Sequence, residues 1–113
     1  MVAGVHLIID VYDIYNVESI KFVNKIQSLM NDIIIKCRLN VVGELTHQFE
    51  PFGATMIYLL SESHLSVHTY PEMKMITLDL YSCNLNINCD EVINIINEFF
   101  KNKCIIKDTI LLR

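Results

Sequence analysis

The feature that most restricts the fold of this chain is a two-residue period interrupted once. The run "ATMIYLL" (54–60) is apolar, and the run "HLSVHTY" (64–70) alternates. Successive side chains of a strand point to opposite faces, so both runs read as strands. Only Ser61, Glu62 and Ser63 separate them, with no Gly or Pro. The polar stretch "SESHLSVHTYPE" (61–72) thus sits between "MIYLL" and "MITLDLYSC", inside what otherwise reads as sheet core.

The flanking sequence supplies the remaining elements. "VHLIIDVY" (5–12) alternates and is rich in β-branched residues, predicting a strand. Asn16 is placed to cap a helix running to about Cys37, with Ile20, Val23, Ile26, Met30, Ile33 and Cys37 on one apolar face. "LNVVGELTHQF" (39–49) predicts a strand, and "EPFG" a turn, since Pro51 fixes φ and Gly53 frees it. A strand is expected over 75–82. Asn88 or Asp90 then caps a second helix over roughly 91–102, with Val92, Ile95, Ile96, Phe99 and Phe100 on its buried side. "CIIKDTILL" reads as the last strand. The expected fold class is α+β: a two-layer α/β sandwich, a mainly antiparallel sheet with two helices on one face. The other sheet face then needs a cover, and a partner subunit is a simple one.

At 113 residues, 52% of them hydrophobic, the chain fits a single domain with one core. Its apolar runs fall far short of a membrane-crossing helix, so no membrane partner is expected. "MVAGVHLIID" has no basic segment ahead of its apolar run, so no secretory signal is expected. The net charge is −4 and the basic residues are scattered, which argues against a nucleic-acid partner. Cys37, Cys83, Cys89 and Cys104 form no Cys-x-x-Cys pair. Reduced thiols and a cytoplasmic location are the expectation.

Three readings of the polar stretch compete. A metal could use His64 and His68, but four residues along a strand separate them by about 13 Å, too far for one ion. No metal is expected. Alternatively, His64, Ser66, His68 and Tyr70 are simply the wet face of a strand. Two details count against that: the unforced break at Glu62-Ser63, and Cys83 in the next, largely apolar run.

The third reading is a resemblance. "LSESHLSVHTYPE" followed by "ITLDLYSCN", with "GVHLIIDVY" at the start and "FEPFGAT" before the knot, resembles the short, prokaryotic-type S-adenosylmethionine decarboxylases. The resemblance covers nearly the whole chain. It implies a pyruvoyl-dependent decarboxylase serving spermidine biosynthesis, made as a proenzyme that cleaves itself. A carboxylate leaves as CO2 only if the electrons it abandons are absorbed, and a carbonyl joined to the substrate amine as a Schiff base can do so. The family makes that carbonyl from serine. By resemblance, Ser63 attacks the Glu62 carbonyl, and ester elimination yields residues 1–62 (the β chain) and a pyruvoyl-headed 63–113 (the α chain). His68 matches the proton-transfer residue of processing. Cys83 matches the proton donor to the substrate carbanion. Imidazole and thiol suit these roles, since both hold or release protons near neutrality. Taken alone, Cys83 would be read as a small core residue. Cys37, Cys89, Cys104, His6 and His47 are read as structural or surface residues.

Ser63 and His68 are about 16 Å apart on an extended strand, whereas proton transfer needs about 3 Å. Either the chain folds back sharply or His68 comes from a second subunit. The resemblance implies the second, a homodimer with shared sites. It further implies that Phe49 stacks on adenine and Glu72 binds ribose, with Thr55 near the site where a serine is common. Core packing is the competing reading of Phe49. Tyr70 stands where tryptophan is common, which reduces stacking surface, and Asn84 replaces the usual glycine after Cys83. These departures leave open a substrate such as arginine or ornithine, on which some relatives act. An unprocessed binding or regulatory homologue is a further alternative.

Overall fold

The computed structural model describes residues 1–113. Six strands form one antiparallel sheet: β1 (Val5–Tyr12), β2 (Val41–Gln48), β3 (Ala54–Leu60), β4 (Ser63–Tyr70), β5 (Met75–Ser82) and β6 (Ile105–Leu112). Their order across the sheet is β2-β3-β4-β5-β1-β6. The first strand is therefore inserted between β5 and β6, pairing with both. Two helices, α1 (Val23–Lys36) and α2 (Cys89–Phe99), cover one face. The α+β sandwich read from the alternation is the observed architecture.

Burial alternates as the period demands. Leu7, Ile9 and Val11 of β1, Leu65 and Val67 of β4, and Ile76, Leu78 and Leu80 of β5 face the helices. They pack with Ile26, Leu29, Met30 and Ile33 of α1 and Val92, Ile95 and Ile96 of α2 in one core. Burying each of these large aliphatics contributes roughly 1.5–3 kcal/mol. One core polar atom has no partner: the buried Tyr58 hydroxyl. Burial, reinforced by the Glu44 charge, pushes its pKa up to about 12.

The first helix starts later than its sequence suggests. Asn16 makes no side-chain cap, and residues Val17–Ile20 form only a short 3-10 turn. The N-terminus of α1 is satisfied from the sheet. Gln48 accepts from the Val23 amide at 2.8 Å and donates to the carbonyls of Lys21 at 3.1 Å and Gly53 at 3.0 Å. This clamp explains why the helix begins at Val23. The second helix is capped by Asn88, whose side chain accepts from the Glu91 amide at 3.1 Å. It ends at Phe99, not 102, because Lys101 and Asn102 turn to positive φ.

At the end of α1 the amides of Cys37, Arg38 and Leu39 close the carbonyls of Ile33, Ile35 and Ile34. Arg38 has φ 56°, a left-handed position that a non-glycine residue occupies at a cost of about 1–2 kcal/mol. Helices commonly place glycine there.

The uncovered face of the sheet mixes two characters. A polar stripe of His6, Asp10, His64, Ser66, His68, Thr77 and Asp79 runs down its middle strands, every member half-buried. Leu45, Ile57, Leu59 and Leu111 flank the stripe and are exposed.

Candidate active site

The break at 61–63 is a hairpin. Leu60 of β3 pairs with Ser63 of β4, leaving Ser61 and Glu62 as the connecting residues. Neither has positive φ, so the loop is not one of the glycine-dependent types that usually announce a two-residue hairpin. The turn is held by cross-links from outside. The Ser61 amide donates to the Asn40 carbonyl at 3.1 Å, and the Asn40 side-chain amide donates to the Ser61 hydroxyl at 2.5 Å. From the end of β5, the Cys83 thiol donates to the backbone carbonyl of Glu62 at 2.8 Å. Glu62, Ser63 and Cys83 thus line one cleft of about 170 Å³, together with Arg38, Asn40 and Asn84.

Cys83 is the exposed cysteine of the four. Burial pushes the thiols of Cys37, Cys89 and Cys104 up, so they hold their protons and pack as small apolar groups.

The other expected site residues lie elsewhere. His68 pairs across the sheet with Thr55, and its Nδ1 is 2.9 Å from the Thr55 hydroxyl. Beyond them, Phe49, Tyr70 and Glu72 line a second pocket of about 210 Å³ with Phe52 and Pro71. The Phe49 ring is 47% exposed, which rules out the core-packing reading of this residue. It meets the His47 ring edge-on, 4.5 Å between centroids. β4 is continuous from Ser63 to Tyr70. At about 3.3 Å per residue, its two ends are about 23 Å apart. The chain does not fold back, so within one protomer Ser63 and Cys83 do not meet His68, Phe49, Tyr70 or Glu72.

Between the two ends lies a network that the sequence did not disclose. His6 Nε2 and His64 Nε2 reach Asp79 Oδ2 at 2.8 and 3.0 Å, and the Ser66 hydroxyl donates to the other oxygen. Burial pushes the Asp79 carboxyl up, but the hydrogen bonds from Ser66, His6 and His64 outweigh it and hold it below its usual value. Potential metal-ligand atoms of His6, His64 and Asp79 lie within 4.8 Å of one another. Arg113 Nη1 lies 3.4 Å from His6 Nδ1. His64 and His68 remain four residues apart on one strand.

The chain is thus an α+β sandwich with a serine-bearing hairpin held by a thiol at one end of β4 and an aromatic pocket at the other. The S-adenosylmethionine decarboxylase family model matches residues 5–110. An S-adenosylmethionine decarboxylase proenzyme of Archaeoglobus fulgidus is 33% identical over 101 residues, 89% of each chain. One from Picrophilus torridus is 38% identical over 98 residues, 87% of this chain and 75% of that one. The solved adenosylmethionine decarboxylase of Aquifex aeolicus superposes with a TM-score of 0.87 at 28% identity, covering 99% of this chain and 91% of that chain. This chain belongs to the S-adenosylmethionine decarboxylase family.

Proposed function

We propose that this chain is a proenzyme that cuts itself between Glu62 and Ser63, then decarboxylates S-adenosylmethionine using a pyruvoyl group made from Ser63. The observation that carries this is the Cys83 thiol on the Glu62 carbonyl oxygen. When the Ser63 hydroxyl attacks that carbonyl, negative charge builds on this oxygen. A donor already aimed at it lowers the barrier. The carbonyl carbon then passes from the Ser63 nitrogen to its oxygen, forming an ester. Loss of the Ser63 Cα proton expels the Glu62 carboxylate and leaves dehydroalanine. One water hydrolyses this to the pyruvoyl group and releases ammonia. The products are residues 1–62 and 63–113.

The residues present fit that group: serine, scissile carbonyl and proton-holding thiol share one cleft. The pyruvoyl carbonyl supplies the electron sink that decarboxylation requires. In the reaction that follows, Cys83 delivers a proton to the substrate carbon that has lost CO2. His68, its ring steadied by Thr55, moves the proton during processing and comes from a second protomer. A two-fold pair of protomers brings the hairpin end of one β4 to the aromatic end of the other, and makes two such sites. The apolar residues on the open face, Leu45, Ile57, Leu59 and Leu111, supply surface for that pairing. In each site Phe49 and Tyr70 stack against adenine, and Glu72 takes the ribose hydroxyls. The product donates aminopropyl groups for spermidine synthesis. No helix is long and apolar enough to cross a membrane.

Denaturing mass spectrometry of the purified protein tests this directly. Two fragments split before Ser63 are expected, the second without a free amine. Labelled CO2 should be released from S-adenosylmethionine and not from arginine or ornithine. Ser63→Ala should stay full length and inert. An intact but active wild-type chain would overturn the reading.

A further inference from the structure

The loop between α1 and β2 holds a residue that its backbone does not favour. Arg38 sits in the left-handed region at φ 56°, where glycine would be free of strain. Its guanidinium caps no helix carbonyl; the carbonyls of Ile33, Ile34 and Ile35 accept instead from the amides of Cys37, Leu39 and Arg38. It is exposed and belongs to none of the ion pairs. Yet it lines the cleft that contains Glu62, Ser63 and Cys83. The same loop grips Ser61, the residue preceding Glu62, through the paired hydrogen bonds between Asn40 and Ser61. A strained cation therefore lines the same cleft as a bond whose proposed cleavage creates an anion.

We propose that Arg38 is the receptor for the α-carboxylate that self-cleavage creates at Glu62. The inference rests on the cleavage reading above. Elimination breaks the bond between the ester oxygen and Ser63 Cβ. The electron pair stays on that oxygen, and the Ser63 Cα proton leaves to the base. Glu62 changes from a neutral carbonyl to a full negative charge. In the precursor that carbonyl accepts from Cys83. A carboxylate left there would bind the thiol proton more tightly and occupy the donor that the substrate needs. A guanidinium engages a carboxylate through two parallel N–H bonds, which a point charge does not match. Arg38 draws the new terminus off Cys83, while Asn40 keeps Ser61, and so the strand end, within reach. Arg38 is thus a positioning residue that converts a processing site into a working one.

The test compares cleaved wild type with Arg38→Gly and Arg38→Lys. Glycine suits the backbone, so Arg38→Gly should fold, with a thermal midpoint at or above that of wild type. The readout is the rate at which iodoacetamide alkylates Cys83 at neutral pH, assigned by peptide mapping. In the cleaved protein, Arg38→Gly should slow alkylation by about three- to tenfold, because the carboxylate then stays beside the thiol. Arg38→Lys should fall between. In a Ser63→Ala background, which makes no carboxylate, removing Arg38 should change the rate by less than about twofold. Equal rates in cleaved wild type and Arg38→Gly would overturn the proposal. So would the same slowing in the Ser63→Ala background, which would mean that Arg38 acts on the thiol directly. A wild-type chain that never cleaves would overturn the cleavage reading instead, and mass spectrometry distinguishes that result.

Discussion

The two ends of β4 are built differently. At the hairpin end, ordinary polar residues are cross-tied from two other elements: Asn40 on Ser61, and Cys83 on the Glu62 carbonyl. At the far end, Phe49, Tyr70 and Glu72 line an open pocket. One end holds a bond and the donor that polarises it. The other holds the aromatic surface and, one pair inward, the imidazole. Under the proposed function each is half of a site. A continuous strand keeps the two ends apart, and the proposal joins them through a symmetric partner.

The largest test of that contrast mixes two dead chains. Ser63→Ala and His68→Ala protomers should each be inactive alone. Co-expressed, they should recover about a quarter of wild-type decarboxylation, since half of the dimers are mixed and each has one intact site. No recovery would mean that serine and histidine act from one chain. Next, Cys83→Ala removes the donor at the hairpin end. Cleavage should slow, and turnover of any cleaved protein should fall about 10²–10⁴-fold, as measured by CO2 release. At the aromatic end, Phe49→Ala should raise KM roughly tenfold with little loss of cleavage, because it costs one stacking contact of about 1–1.5 kcal/mol. A cleavage defect in that variant would blur the division of labour.

The middle of the strand yields smaller effects. Asp79 titrates below its usual value when folded, so its contribution is full above about pH 4, the unfolded carboxylate range, and is lost as pH falls through the lowered folded value. Asp79→Asn should therefore cost about 1–3 kcal/mol near neutrality, and the gap to wild type should close in acid melts. Tyr58→Phe deletes the unpartnered hydroxyl and should be neutral or stabilising by up to about 1 kcal/mol in thermal melts.

What the sequence disclosed follows from range. The four inner strands β1, β3, β4 and β5 carry a buried face that imposes a period of two over a few residues, whereas β2 and β6 bury no residue and were legible from their β-branched and apolar content. The start of α1 was not, because its cap, Gln48, lies 25 residues beyond Val23. His6 read as a bystander because its partner Asp79 is 73 residues away. The hairpin was visible as an interruption, but Ser61 and Glu62 gave no turn signature. Arg38 gave none either; only its backbone angle marks it. The aromatic and carboxylate positions at the far end came from resemblance, and no local pattern would have found them.

The sheet order carries a last consequence. Under the proposed cut, one piece contributes β1, β2 and β3 and the other β4, β5 and β6. In the order β2-β3-β4-β5-β1-β6 these strands interleave. The pieces meet along β3–β4, and again where β1 is wedged between β5 and β6. Severing the backbone therefore creates two polypeptides woven through each other, and neither can leave without tearing ladder hydrogen bonds along three seams. A main chain cut there, as proposed, would leave the shape to the weave of the sheet and not to covalent continuity.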